Sequence, residues 1–230
     1  MKTLLETLKR KWAEYLLEII VITVGILGAY SLNNWNEGRK SLKLETEMLR
    51  EIKVGLESDL EDIELNLSIQ RGVLKSQDII IDWLESDQPY DDSLSIHFGR
   101  SNSTSVFLSN EGAYETLKQL GIRLITNDSL RDQILKVYDV DFQNYQVHLD
   151  AYNDMFTNMY QFINANHFST WNMESMKPMD MAKIRFDNTY GYNFNLLRNF
   201  NQYYTDQKIV EAQKSAKKTI KMIEAELNNK

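Results

Sequence analysis

The sequence predicts an all-α protein: one N-terminal transmembrane helix followed by an antiparallel bundle of three long helices plus a short one. Three observations carry that expectation. Breakers are scarce, with only two prolines and nine glycines in 230 residues. Proline removes a backbone donor and glycine costs chain entropy, so their scarcity leaves long helices uninterrupted. A nearly unbroken apolar run, Ile19 to Leu32, lies close to the start of a chain that is otherwise polar. Beyond it, apolar residues recur at threes, fours and sevens, the spacing that aligns one face of a helix. The chain divides accordingly into a short N-terminal segment (1–14), the membrane helix (15–35) and the helical bundle (36–230).

The run from Ile19 to Leu32 is short for a complete span, because a bilayer core about 30 Å thick takes on the order of 20 helical residues. Its flanks supply the rest. Trp12 and Tyr15 precede it and Trp35 follows it, and such rings favour the headgroup level. At about 1.5 Å per residue, a helix from Trp12 to Trp35 rises about 35 Å, one membrane thickness. Asn33, Asn34, Asn36 and Glu37 then return the chain to water. Two other readings compete. Ala29 and Ser31 are spaced as a signal-peptide cleavage site would be, although a long approach carrying Glu6, Glu14 and Glu18 argues against a signal peptide. A buried helix of a soluble protein is the other. Gly25 and Ala29, with Gly28 alongside, form a small-residue face that would admit a second helix, or is simply the usual composition of membrane helices. Lys2, Lys9, Arg10 and Lys11 precede the run, and Arg39, Lys40 and Lys43 follow it. That bias favours a cytoplasmic N-terminus.

Residues 40–86 read as one helix, its stripe formed by Leu42, Leu49, Ile52, Leu56, Leu60, Ile63, Leu67, Leu74, Ile81 and Leu84. Glu57, Asp59, Glu61, Asp62 and Glu64 read as its solvated face. Pro89 ends it. The serine-rich connection Asp87 to Asn110 is unusually long, and makes His97 and Arg100 candidates for a contact loop or a mobile one. A short helix follows, Glu111 to Leu120, capped by Ser109 or Asn110 and stopped by Gly121. Asn127 or Asp128 then opens a third helix to about Asn166. Its stripe is Leu130, Ile134, Tyr138, Phe142, Tyr145, Leu149, Tyr152, Phe156, Met159 and Ile163. His167 to Asp187 is irregular and rich in methionine: Met173, Met176, Met179 and Met181. Thioethers bind Cu(I) but more often fill uneven gaps. The last helix runs from Asn188 to Leu227, first on Phe194, Leu197, Phe200 and Tyr204, then on Ile209, Ala212, Ala216, Ile220, Ile223 and Leu227. Its second half is expected to pair with the start of helix 40–86.

Two stretches carry a family resemblance. "YLLEIIVITVGILGAYSLNNWNE", from Tyr15 to Glu37, resembles the signature of an uncharacterised family of small bacterial membrane proteins, in which an E-I-x-x-V-x-x-G-I-x-x-A run leads into N-N-W-N-E. "AYETLKQLGIRLITNDSLRDQI", residues 113–134, is similar to that family's second block, a Y-x-x-L helix, a glycine, then L-I-x-N-x-x-L-R. Gln119 and Leu120 depart from it, standing where small polar residues are expected. The resemblance implies topology and no catalytic residues: a single-pass protein of the bacterial inner membrane. The charge bias around the apolar run is what would place its bundle on the extracytoplasmic (periplasmic) side.

Net charge is −7, and residues 1–35 are slightly positive, so all of the excess acid lies in the rest of the chain. An acidic body disfavours nucleic acid as a partner. The one basic cluster, Lys214, Lys217, Lys218 and Lys221, suits the end of a helix. Cysteine is absent. None of His97, His148 and His167 has an acid three residues before it, so the Glu-x-x-His pattern of carboxylate-bridged metal bundles is missing. No nucleotide or hydrolase motif occurs either. The expectation is a protein with no cofactor, whose partners are the lipid bilayer and either another protein or a second copy of itself. It would serve as an accessory subunit or scaffold. A sensory module signalling through a partner is the first rival, and an enzyme whose site is assembled across the bundle is the second.

Overall fold

The computed structural model describes the backbone of residues 2–229 and the side chains of residues 12–229. Lys2, Glu6, Lys9, Arg10 and Lys11, whose charges enter the expected orientation, lie outside the described side chains. Among the described residues all regular structure is helical, apart from an isolated antiparallel bridge between Phe168 and Pro178. The chain forms two compact units, residues 1–48 and 49–230, and helix α1 (Lys2–Glu85) supplies residues to both.

The membrane helix expected over 15–35 and the helix expected from residue 40 are one element: α1 runs without a break through Asn33–Glu37. The physical reason is cooperativity. Adding a residue to an existing helix requires no new nucleus, and each asparagine costs only about 0.7 kcal/mol or less. Neighbours one turn apart reinforce the backbone. Arg39 lies over the Trp35 ring at 5.0 Å, Lys40 pairs with Glu37 at 3.0 Å, and the Thr46 hydroxyl donates to the Leu42 carbonyl at 2.8 Å.

The second unit begins with residues 49–85 of α1 and continues through α2 (Leu94–Arg100), α3 (Gly112–Leu120), a 3-10 turn at Ile122–Leu124, α4 (Asp128–Lys136) and α5 (Gln143–Asn158). Then come α6 (Met181–Phe186), α7 (Asn188–Tyr203) and α8 (Val210–Asn228). A π-type stretch, Val137–Phe142, joins α4 to α5; another, Tyr204–Ile209, joins α7 to α8; and a third, Met159–Ile163, leads from α5 into a 3-10 turn at Asn164–Asn166. The two long helices expected from Asn127 to Asn166 and from Asn188 to Leu227 are therefore present, with wide turns inside them. The stripe suits the first of these turns. Leu130, Ile134, Tyr138 and Phe142 follow one another at steps of four, and each such step overshoots a 3.6-residue turn by roughly 40°. A π turn takes up the surplus residue, and all four side chains remain buried.

Two clusters fill this unit. One gathers Leu49, Ile52 and Leu56 with Leu130, Ile134, Ala212, Ala216 and Ile220. The other is half aromatic and contains Trp83, Phe98, Tyr152, Phe168, Tyr190 and Phe194. Lys53 meets Glu224 at 3.2 Å and Glu64 meets Lys217 at 2.7 Å, so α8 runs against α1 along this length, as its small apolar stripe predicts.

Several expectations are corrected. Leu42 is exposed, and Leu74, Ile81 and Leu84 lie only at the edge of the core; Gln70, Val73, Gln77, Ile80 and Trp83 take the interior. The stripe of α1 thus turns polar midway, where it meets a backbone segment rather than another helix. Asp59 belongs to no solvated face: it is almost wholly buried. The connection Asp87–Asn110 contains α2, and residues 101–107 lie against the helices with one side inward: Ser101, Asn102, Ser103, Ser105 and Phe107 are buried, while Thr104 and Val106 are exposed. Helix α3 has no side-chain cap, because the Asn110 N–H is turned to the Asp59 carboxylate at 2.7 Å. Asn127 does cap α4, accepting the Leu130 N–H at 3.1 Å, and Gly121 adopts φ 99°, which favours glycine.

Candidate functional site

Three places could carry function. The first is the apolar surface of α1 in the first unit. Every described side chain from Trp12 to Leu44 is exposed, including Trp12, Tyr15 and Trp35, all more than 40% accessible. A Cβ added at Gly25 or Gly28 would find nothing within 4 Å, and Ala29 beside them is equally open. Exposed apolar surface on this scale departs from what a water-soluble monomer presents. α1 is long and apolar enough near the N-terminus to cross a membrane.

The second is the polar seam inside the second unit, which periodicity alone missed. Residues 101–107 press backbone donors and acceptors against the helices, and those that are buried must find partners. Side chains of the helices supply them. Asn66 Nδ2 donates to the Val106 carbonyl at 2.7 Å and to the Tyr145 hydroxyl at 3.0 Å. Gln70 reaches the Ser105 hydroxyl at 3.1 Å and the Tyr152 hydroxyl donates to the Ser103 carbonyl at 3.2 Å. Asn201 donates to Gln77 at 3.1 Å, and Thr205 to Asn201 at 3.1 Å. The seam ends at Asp59, whose carboxyl is pushed up to about 6, first by burial and then, against the Asn110 N–H, by the nearby Asp62 and Glu111 carboxylates. Asn66, Gln70, Val73, Gln77 and Ile80 are spaced by four, three, four and three, and that helical register was the signal available. Amides on an apolar face announce a buried polar partner.

The histidines do not converge. His97 lies on α2 rather than in a loop, with Nδ1 3.3 Å from the Ser76 hydroxyl; burial, then Arg100 and Lys75, hold its imidazole below the ordinary range. Arg100 at the end of that helix is exposed. His148 Nδ1 donates to the Asn144 carbonyl at 2.7 Å. His167 is buried and its Nε2 donates to Asp187 at 3.0 Å. The Tyr190 N–H, then those of Thr189 and the His167 ring, hold the Asp187 carboxyl below the carboxylate range, while the same aspartate caps α7. A carboxylate-oriented imidazole is part of a nucleophile's machinery, yet His167 Nδ1 has no partner, hydroxyl or otherwise. The methionines diverge: Met176 is buried, whereas Met173 and Met179 are exposed. Among the described residues no group of three or more His, Asp or Glu is arranged to hold a metal.

The third place is an open cavity of about 250 Å³ where the Met159–Asn166 turns meet the segment after His167. Phe168, Met176 and Asn164 are its buried walls, and Tyr160 and Trp171 its exposed ones. The methionine-rich segment that closes it is tied down. The Met176 N–H donates to the Ser95 carbonyl at 2.9 Å and the Met179 N–H to the His167 carbonyl at 2.8 Å. Gly99 lets the backbone of Asn172 and Met173 approach so closely that an added Cβ would lie 2.6 Å from both carbonyl oxygens.

Residues 18–138 match a family model described as "Family of unknown function (DUF6090)". No curated protein and no solved structure matches the chain. The matched region covers the apolar helix and ends within the first π stretch. Within the matched region, Tyr114, Leu117 and Leu130 are buried, Gly121 holds the positive φ, and Asn127 is the cap of α4.

Proposed function

We propose that this chain, which belongs to that family of unknown function, is a membrane-anchored protein that acts by binding a protein partner, as an accessory subunit or scaffold. Its reading is a bacterial inner-membrane protein crossing once through α1, with Trp12, Tyr15 and Trp35 at the two interfaces. Residues 49–230 form an antiparallel helical bundle on the extracytoplasmic side. The observation that supports it most is the inversion of polarity in the first unit, where apolar side chains from Trp12 to Leu44 face outward without exception. Water penalises that surface by about 25 cal/mol per Å², and lipid does not. Arg100, exposed at the end of α2, is assigned to the partner-facing surface together with His97 beside it.

The test has two arms. Membranes carrying the full chain are washed with alkaline carbonate, and the chain is expected to stay with the pellet until detergent is added. Recovery in the supernatant ends the membrane reading. Crosslinking in intact cells followed by mass spectrometry is expected to trap a stoichiometric partner or a second copy. A chain recovered only as a monomer ends the scaffold reading.

A further inference from the structure

Asp59 is buried among groups that do not neutralise it. It is 2% exposed. One carboxyl oxygen accepts the Asn110 N–H at 2.7 Å, and the other is buried without a partner. Two carboxylates act on it, Asp62 from its own helix and Glu111 from the segment before α3. The π stretch after α4 contributes Tyr138, whose buried hydroxyl feels the Asp59 charge but makes no hydrogen bond. From α3, Tyr114 stacks on Tyr138 with ring centroids 4.4 Å apart and gives its own hydroxyl to Asp139 at 2.6 Å. Lys118, on the same helix, is paired with Glu115 at 2.5 Å and lies over the Tyr114 ring at 4.7 Å. Among the described residues no Lys, Arg or His acts on the Asp59 charge. A buried charge without a cation is held only by hydrogen bonds, and here one N–H serves two oxygens.

We infer that Asp59 is a pH-operated latch: neutral, it holds residues 108–112 and the start of α3 against α1; ionised, it lets them go. The contrast in fixation says which side moves. On α1, Leu56 and Ile63 flank Asp59 and are completely buried, so the helix stays in place. Residues 103–110 make no backbone–backbone hydrogen bond among the described residues, and α3 has no side-chain cap. Asn110 sits directly on the α1 backbone, where a Cβ at Gly55 would meet its carbonyl at 3.2 Å. Ionisation puts charge under that seat. Lifting the segment carries Glu111 away from Asp59 and admits water to the carboxylate, at the loss of one hydrogen bond. Leu108, 82% exposed, rides on the segment, so opening displaces an apolar surface. Burial first, then Asp62 and Glu111, raise the carboxyl to about 6. The closed form therefore binds the proton more tightly than the open one, and the latch is shut at acidic pH and loosens as pH rises through that value. It rests on neither the membrane nor the partner reading.

The experiment is amide hydrogen exchange of the full chain in detergent micelles at about pH 5 and about pH 7.5, read by mass spectrometry and corrected for the intrinsic exchange rate at each pH. Protection of peptides spanning 107–114 is expected to fall about tenfold from the lower pH to the higher. Linkage gives that ratio for a carboxyl at 3.8 in the open form and about 6 in the closed one. Peptides within 145–152 are expected to keep theirs. Asp59→Asn retains an acceptor for the Asn110 N–H and has no charge to gain, so its 107–114 protection is expected to be the same at both pH values. If that variant unfolds, Asp62→Asn removes the stronger of the two repelling carboxylates from a half-buried position and is expected to shrink the change. Equal wild-type protection at the two pH values, a loss spread evenly over residues 49–229, or an undiminished loss in either variant overturns the inference.

Discussion

Residues 12–44 and 49–85 belong to one helix and use the same apolar alphabet, yet they bury it in opposite senses. In the first stretch Ile19, Val21, Val24, Ile26 and Leu32 are more than 60% accessible, and beyond the adjoining residues and local helix backbone nothing lies within 4 Å of a Cβ placed at Gly25, Gly28 or Gly38. In the second, Leu49, Ile52, Leu56 and Ile63 are completely inaccessible, and Gly55 lies so close to Asn110 that a Cβ would meet its carbonyl at 3.2 Å. Helicity is therefore indifferent to what surrounds it, because the backbone bonds are internal to the segment either way. What distinguishes the two stretches is pattern: a full circumference of apolar residues in one, a single stripe with charge between in the other.

Substitutions that respect only one side of this contrast are the way to break it. The largest effect is expected from Phe194→Ala, which removes a fully buried ring stacked on Tyr190 at 5.6 Å. Denaturant unfolding of the body should lose about 3–5 kcal/mol with the membrane fraction unchanged. Ile22→Arg is the mirror experiment. A charge at mid-span costs about 2.5–3.5 kcal/mol of insertion, so the pelleted fraction should fall while unfolding of the body is unaltered; a helix that never meets lipid would show no loss.

The glycines sharpen the comparison further. Gly99→Ala must push the Asn172 and Met173 backbone aside, and should cost about 1–3 kcal/mol of thermal or chemical stability. Gly25→Ala meets nothing within the chain and should be neutral or favourable by up to about 1 kcal/mol. If it instead weakens a crosslinked dimer, the face formed by Gly25, Gly28 and Ala29 is packed against a second helix.

The last expected effect is a pH dependence. The Asp59 carboxyl is raised from 3.8 to about 6, so the folded chain binds this proton more tightly than the unfolded one does. Its contribution therefore favours folding at acidic pH and is lost as pH rises between those two values. Asp59→Asn lacks it. The stability of the variant relative to the wild type should climb over that interval and level off above about pH 6. His97, shifted in the opposite direction by burial, titrates in both proteins and cancels in the difference. Parallel curves would show that Asp59 is solvated after all.

The sequence made the helices legible because their apolar spacing is a local property. Leu130 to Ile163 could be read as one inward stripe, though not with the π turns inside it. The membrane candidate was legible for the same reason, since an apolar circumference needs no partner to be recognised. The polar seam was less so. Asn66, Gln70 and Gln77 sit in register with the core, but their meaning depends on residues 101–107, which are 24 to 40 positions away in the hydrogen bonds they make. A serine-rich connection reads as surface until a set of amides is found to receive it.

Composition and periodicity alone determined the helical class, the apolar span near the N-terminus and the inward faces of the later helices, because each follows from backbone hydrogen bonding and side-chain spacing within a few turns. Only the tertiary structure decided that Asp59 is buried, that residues 101–107 turn one side inward against the helices, and that Asn164 keeps a buried oxygen without a partner. Those outcomes depend on which distant groups meet, and the free energy of a buried polar atom is set by its neighbours in space rather than by its neighbours in the chain.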